Sequence, residues 1–202
     1  MKHNGQTYKR YLAVLTALAL SLLLWGCGRG EEATAQPAPT EAPTAAPQTE
    51  SADDGFAPDF TFTAEDVVHG GEIDETLFGE HKITMVNIWE PWCGPCVGEM
   101  PELERLYEDM HSQGVGVLGV YYTEEGAAEV LEECGITYPV IRETPEFYQF
   151  ESGYVPTSFF VDGSGHVLKS DAADARGILF ISSNSYDGWK SVIEGLMSDG
   201  EA

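Results

Sequence analysis

The sequence predicts an α/β domain built on a mixed sheet, because short apolar runs alternate with helical patterns along most of the chain. Two runs, ITMVNIW at residues 83–89 and VGVLGVYY at residues 115–122, are mostly apolar, as expected of strands buried on both faces. A third, TSFFV at residues 157–161, leads into the turn sequence DGSG and predicts a hairpin with residues 166–169.

Three segments have the spacing of helices. The first, residues 97–111, has one apolar face and ends before Gly114. That face consists of Met100, Leu103, Leu106, Tyr107 and Met110, with Glu102, Glu104, Arg105, Glu108 and Asp109 elsewhere. The second covers residues 124–134 and stops at Gly135, and the third covers residues 186–197. The apolar face of the third consists of Trp189, Val192, Ile193 and Leu196.

The remaining segments of the domain have weaker patterns. Residues 139–141 predict a short strand, which completes the order β-α-β-α-β-β-α. Residues 60–78 predict a short hairpin and a turn before the first long strand. Residues 171–185 contain ILFIS, which fits either an edge strand or an apolar loop packed near the last helix.

Residues 1–26 have the pattern of an export signal. A positively charged start precedes an apolar run at residues 11–25, shorter than the roughly 17–25 residues that span a bilayer. The sequence LWGC, ending at Cys27, resembles the lipobox of bacterial lipoproteins, although Trp25 departs from the small residue usual there. The resemblance implies cleavage before Cys27 and lipidation of that residue. A signal-anchor helix and an ordinary secretory signal are the alternatives, and all three place the domain outside the cytoplasm.

Residues 27–55 predict a disordered linker between the anchor and the folded domain, residues 56–202. The linker is rich in Pro, Ala, Thr and Glu and nearly free of large apolar residues, so it cannot bury enough surface to fold. It is either an extended tether that holds the domain away from the membrane or an unstructured spacer whose length has no function. The formal charge of −24 argues against a nucleic-acid partner, because no basic surface is available to neutralise phosphates.

The stretch EPWCGPCVGEMP, residues 90–101, carries the strongest chemical signal. A structural zinc site needs about four ligands, and neither Cys27, Cys134 nor the five histidines supply a second spaced pair. A disulfide that closes so small a ring restricts the unfolded chain little. A redox pair is favoured, because Cys93 would lie at a helix N-terminus, where N–H groups and the helix dipole stabilise a thiolate. Cys96, one turn inside, could then resolve a mixed disulfide, with no metal or other cofactor required.

The same stretch resembles the active site of the TlpA/ResA branch of membrane-attached, extracytoplasmic thioredoxins. That branch reads N-F-W-A-x-W-C-x-P-C-x-x-E-x-P, and this chain reads NIWEPWCGPCVGEMP. Downstream, GITYPV and VPTSFFVDGSGHV also fit the branch, and the resemblance extends over residues 56–167. It implies a thioredoxin fold, with a central mixed β-sheet flanked by helices, and thiol–disulfide exchange with proteins. A membrane thiol reductase would supply the electrons.

The resemblance also implies roles for individual residues. Pro156 aligns with the family's cis-proline, which faces the CxxC pair and lets the preceding backbone, here Val155, bind a substrate strand; the alternative is a trans turn proline. Glu99 aligns with an acidic residue that exchanges the proton of Cys96, although it could be an ordinary solvated glutamate. Asn87 stands where cytoplasmic thioredoxins have a buried aspartate, which favours Glu99 as the proton acceptor. The substrate-binding residues implied are Trp92, Gly94, Pro95, Val155 and Pro156.

Two features are not explained by the resemblance. Glu90-Pro91 replaces the small residues usual there and is either a neutral variation or a modifier of partner choice or thiol pKa. Cys134 ends a predicted helix and is either a buried inert residue or an additional resolving thiol.

Three functions compete. The Gly-Pro between the cysteines is that of thioredoxin, a reductant near about −270 mV, and favours a monomeric reductase of exported protein disulfides. By family analogy its clients would be proteins such as apocytochrome c or a methionine sulfoxide reductase. A peroxidase is disfavoured, because the motif P-x-x-x-T-x-x-C is absent before Cys93. The third possibility is a binding lipoprotein without enzymatic activity.

Overall fold

The computed structural model describes residues 56–199. The predicted signal, the lipidation site Cys27 and the linker lie outside these residues. The described residues form six strands: β1 (Thr63–Glu65), β2 (Glu72–Asp74), β3 (Ile83–Ile88), β4 (Val115–Tyr121), β5 (Val140–Arg142) and β6 (Thr157–Asp162). The first two form the predicted N-terminal hairpin, and the other four form the central sheet in the order β5-β4-β3-β6.

The central sheet is mixed, as predicted. Strands β3, β4 and β5 are parallel, and β6 runs antiparallel to β3. Because of this antiparallel pairing, Thr157, the first residue of β6, lies opposite Ile88, the last residue of β3. The loop that follows β3 and the loop that precedes β6 therefore meet at one edge of the sheet, which is where the sequence places CGPC and Pro156.

Residues 56–199 contain three α-helices, which come after β3, β4 and β6 respectively: α1 (Gly94–Met110), α2 (Ala127–Cys134) and α3 (Tyr186–Asp199). Helix α1 begins directly after Cys93, three residues before the predicted start, since Pro95 is accepted in a first turn. Helix α2 begins three residues later than predicted, because Gly126 before it adopts a positive φ of 83°. No helix within residues 56–199 is long and apolar enough to span a membrane.

Short 3₁₀ helices complete the secondary structure at Glu75–Glu80, His111–Gln113 and Pro145–Phe150. The third of these was not predicted from the sequence. It contributes Phe147 and Phe150 to the core, in contact with Phe60 near the N-terminus of the domain.

Two apolar clusters cover opposite faces of the sheet, because successive side chains on a strand alternate between faces. On one face, Met85 and Phe160 pack among residues of all three helices, including Trp189. On the other face, Val86 and Phe159 pack with the N-terminal segment and the last 3₁₀ helix. The central strands are consequently buried throughout, in agreement with their continuous apolar sequences.

Two further predictions differ from the structure. The hairpin after β6 is reduced to one bridge between Val161 and Val167, so residues 166–169 form no named strand. Glu104, assigned to the polar side of the first helix, is buried, because its carboxylate accepts hydrogen bonds from the Thr137 backbone N–H at 2.8 Å and from the Thr137 hydroxyl.

The segment at residues 171–185 is an apolar loop with a single bridge to the sheet. Ser158 and Phe180 exchange two backbone hydrogen bonds at 2.8 and 2.9 Å. The Phe180 ring lies edge-on to Phe160 and 6.0 Å from the Trp189 ring of α3. This agrees with the loop alternative and brings the end of the segment over helix α1.

Candidate active site

The two cysteines of CGPC form a disulfide at the N-terminus of α1, with an S–S distance of 2.06 Å. Cys93 caps the helix, and its Sγ accepts a hydrogen bond from the Cys96 backbone N–H at 3.2 Å. The same N–H would stabilise negative charge on that sulfur after reduction. Cys93 retains 5% exposure and Cys96 none, so Cys93 is the sulfur of the pair that a partner can approach.

The peptide bond between Val155 and Pro156 is cis, as the resemblance implied. The Cys93 Sγ lies 3.6 Å from the Val155 carbonyl oxygen, so the cis-proline loop and the disulfide form one surface. Hydrogen bonds between residues on either side of Pro156 fix the loop. The Thr157 hydroxyl bonds the Ser152 hydroxyl and donates to the Tyr154 carbonyl, both at 2.7 Å.

The predicted substrate-binding residues surround the disulfide. Trp92 is 63% exposed, and its indole N–H donates to the Thr123 hydroxyl at 3.4 Å. Gly94 and Pro95 are exposed at the first turn of α1, and Pro156 is buried beneath Val155 on the opposite side. The structure thus brings together the five residues that were predicted to bind substrate.

Glu99 is buried behind the disulfide, rather than solvated. It lies three residues after Cys96 on α1, a spacing that puts both side chains on the same side of the helix. Its carboxylate accepts hydrogen bonds from the Asn87 side-chain amide at 2.9 Å and from the Asn184 backbone N–H at 2.8 Å. Burial raises the pKa of Glu99 to about 7, although these hydrogen bonds oppose the change.

Three residues in contact with Glu99 or with its partner Asn87 were not identified from the sequence. Ser158 on β6 accepts from the same Asn87 amide at 3.0 Å, and Asn184 belongs to the loop whose structure the sequence left open. The Trp189 indole N–H has no hydrogen-bond partner among the described residues, but it is close enough to Glu99 to lower the pKa of the carboxyl group. The sequence signal for these contacts is weak, because Ser158 is one of several polar residues on β6.

Glu90 connects the active-site loop to the end of β4. It is fully buried, and its carboxylate accepts hydrogen bonds from the backbone N–H groups of Tyr122 at 2.9 Å and Thr123 at 3.2 Å. Its carbonyl accepts from the Cys93 N–H at 3.0 Å. Glu90 therefore positions the loop that carries Trp92 and Cys93, which argues against a neutral variation.

Cys134 packs against α1, where it compensates for a proline. Pro101 lies inside α1 and cannot donate to the Val97 carbonyl one turn earlier. The Cys134 thiol approaches that carbonyl at 3.9 Å, and burial raises the pKa of the thiol. These contacts favour the inert alternative, because a thiol with a raised pKa is a poor nucleophile at neutral pH.

The arrangement is suited to thiol–disulfide exchange. It combines an approachable sulfur at a helix N-terminus, a buried second sulfur and a titratable carboxyl beside that second sulfur. Within the described part of the chain, no group of three or more His, Cys, Asp or Glu side chains is placed to hold a metal ion.

Comparison with known proteins gives a family and several relatives. The model of the AhpC/TSA family matches residues 55–170, more than half of the chain. Thiol-disulfide oxidoreductase ResA of Geobacillus thermodenitrificans is 33% identical over 101 residues, which are 45% of this chain and 58% of the relative. Thiol:disulfide interchange protein HelX of Rhodobacter capsulatus is 35% identical over 92 residues, 43% of this chain and 50% of the relative. The chain thus spans about half the length of the curated relatives it matches.

Solved structures share the fold. A thioredoxin-family thiol:disulfide interchange protein from Chlorobium tepidum superposes with a TM-score of 0.57 at 25% identity, covering 69% of this chain and 95% of the other. StoA from Bacillus subtilis superposes with a TM-score of 0.52 at 18% identity, over 67% of this chain and 97% of the other. The central mixed sheet with flanking helices is therefore a thioredoxin fold, as the resemblance predicted.

Proposed function

The chain belongs to the AhpC/TSA family, and we propose that within it the protein is a thiol–disulfide oxidoreductase that reduces disulfides of exported proteins. The observation that carries this proposal is the Cys93–Cys96 pair at the start of α1, beside the cis-proline loop at Val155. A loop whose backbone can pair with a polypeptide suits a disulfide in a client protein, whereas a peroxide substrate would not need it.

The reaction is a two-electron exchange in two steps. In the reduced protein, the Cys93 thiolate attacks one sulfur of the client disulfide, and the other client sulfur leaves as a thiolate. Cys96 then loses its proton to Glu99 and attacks the Cys93 Sγ, which releases the second client thiol. The products are the reduced client and the Cys93–Cys96 disulfide, so two electrons have passed to the client. An external dithiol, such as a membrane thiol reductase, must return two electrons and two protons.

We expect the purified domain to accelerate the reduction of insulin disulfides by dithiothreitol. The reason is that the Cys93 thiolate is a better attacking group than a free thiol at neutral pH. A reduction potential near the value of about −270 mV found in thioredoxin would fit a reductase, whereas one well above about −150 mV would contradict that direction. Consumption of hydrogen peroxide without insulin reduction would contradict the proposal itself.

The proposal places this activity outside the cytoplasm on a lipid anchor, based on the LWGC sequence that ends at Cys27. The full-length protein, expressed in a bacterium that lipidates exported proteins, should incorporate a labelled fatty acid and remain in the membrane fraction. The Cys27→Ala variant should incorporate none. Equal labelling of both proteins, or none of either, would contradict the anchor without affecting the proposed chemistry.

A further inference from the structure

A cavity of about 640 Å³ opens beside the disulfide, at the carboxyl ends of β3, β4 and β5. Trp92 and Val155, which flank Cys93, both line it. Six large apolar side chains are exposed among the described residues, and four of them line this cavity. These four are Trp92, Tyr122, Tyr148 and Tyr154. Such a concentration of exposed aromatic surface in one place marks a binding site.

The lining of this cavity is acidic. Glu143 and Glu151 contribute carboxylates, and none of the described residues that line it is basic. The Glu143 Oε1 atom is buried and has no hydrogen-bond partner in the part of the chain that the structure describes. Burial, together with the nearby carboxylates of Glu151 and Glu90, raises the pKa of Glu143 to about 7. The cavity therefore contains a carboxyl group that no basic lining residue pairs with, and a bound cation would favour its ionised form.

Two neighbouring arginines are already engaged elsewhere. Arg142 directly precedes Glu143, but its guanidinium lies 2.6 Å from the Glu124 carboxylate. Arg176 bonds Asp174 at 3.0 Å and the Gln149 carbonyl at 3.2 Å. Neither side chain lines the cavity. No basic side chain of the lining pairs with Glu143, so this carboxyl group is available to a cation on a bound molecule.

We propose that this cavity binds a lysine or arginine side chain of the client polypeptide, close in sequence to the cysteine that Cys93 attacks. The aromatic walls suit a cation, because the faces of Trp and Tyr rings attract ammonium and guanidinium groups. The unpartnered Glu143 oxygen supplies an acceptor for the arriving N–H donor. The proposal rests on the proposed function and adds a preference among clients.

The position of the cavity indicates a side chain of the client rather than a free amine. A client whose cysteine reaches Cys93 lies along the Val155 backbone, 3.6 Å from that sulfur. Val155 also lines the cavity, so residues adjacent to the client cysteine pass over its opening. Successive residues of an extended strand are about 3.3 Å apart, and a lysine side chain can span the remaining distance.

The test compares short peptides that differ at one residue. Each contains one cysteine, is oxidised to its symmetric disulfide dimer, and carries either lysine or norleucine within two positions of the cysteine. The second-order rate constant for reduction by the pre-reduced protein is measured in a single turnover by chromatography. At the most favourable of these positions, we expect the lysine peptide to react roughly three- to thirtyfold faster than the norleucine peptide. In the Glu143→Gln variant this ratio should fall towards one.

The Glu125→Gln variant is the matched control, since it removes the same charge from an exposed residue that does not line the cavity. It should keep the ratio of the unmodified protein. A ratio that falls equally in both variants would indicate attraction by the overall negative charge and would overturn the proposal. If the unmodified protein reduces both peptides at one rate, the cavity proposal fails and the proposed function stands. If it reduces neither peptide, the proposed function fails.

Discussion

The Cys96→Ser variant is expected to accumulate client proteins as mixed disulfides on Cys93. In the unmodified protein, Cys96 lies one helical turn from Cys93, so it attacks the mixed disulfide within the same molecule. Its burial keeps it from clients themselves. Removal of that thiol leaves only thiols from solution to resolve the complex. Because intramolecular attack by a well-placed group is strongly favoured, release should slow by at least roughly a thousandfold.

The measurement is isolation of the full-length variant from cells under acid-quenched, non-reducing conditions, followed by mass spectrometry of the attached proteins. Two variants control for other thiols. Cys93→Ser should trap nothing, because Cys96 is buried and cannot meet a client directly. Cys134→Ser should behave like the unmodified protein, since that thiol contacts the Val97 carbonyl and not the disulfide. Equal trapping by Cys93→Ser and Cys96→Ser would contradict the assigned roles.

The elements that the sequence predicted well are those with local causes. Strands β3 and β4 are buried on both faces, so their apolar runs are continuous and easily recognised. The elements predicted poorly depend on distant contacts. Glu104 has the residue type of a solvated helix face, but Thr137 supplies the hydrogen bonds that allow its burial. The start of α2 depends on the positive φ of Gly126, which a helical pattern of side chains does not encode.

The same distinction holds for the candidate site. The cysteines and Glu99 lie on consecutive turns of one helix, and a motif in one short stretch therefore identifies all three. Asn184 approaches Glu99 from 85 residues away, within a segment that has no regular pattern. The cavity near Glu143 is assembled from loops after three different strands and from a 3₁₀ helix that was not predicted. Its aromatic and acidic lining becomes visible only when those loops are brought together.

The Glu99→Gln variant is expected to slow the resolving step by roughly 100-fold at pH 7, the size of effect typical of a positioned general base, and by less at higher pH. Glu99 can take the proton of Cys96 only in its ionised form, which predominates above its pKa of about 7. In the unmodified protein, the rate of resolution should rise as the pH increases to about 7 and then level off. In the variant it should continue to rise towards the ordinary thiol pKa of about 8.5.

The pH dependence of stability provides an independent measurement of the titration of Glu99. The pKa of Glu99 is raised from 4.5 to about 7 in the folded protein, so the folded state holds the proton more tightly than the unfolded chain. This contribution to stability is fully present below pH 4.5 and is lost as the pH rises through about 7. Relative to Glu99→Gln, the free energy of unfolding of the unmodified protein should fall by about 3 kcal/mol across that range.

Urea denaturation at several pH values measures this difference, and the Glu108→Gln variant is the control, because Glu108 is exposed on the same helix. Glutamine is a fair replacement at Glu99, since the Asn87 Oδ1 atom is buried without a partner among residues 56–199. Rotation of the Asn87 amide would turn this acceptor towards the new side-chain N–H group. If Glu99→Gln and Glu108→Gln share one pH profile for stability, the carboxyl group is not titrating in the interior. If Glu99→Gln changes the pH profile of stability but not the pH profile of the resolving step, Glu99 titrates in the interior but does not exchange the proton of Cys96.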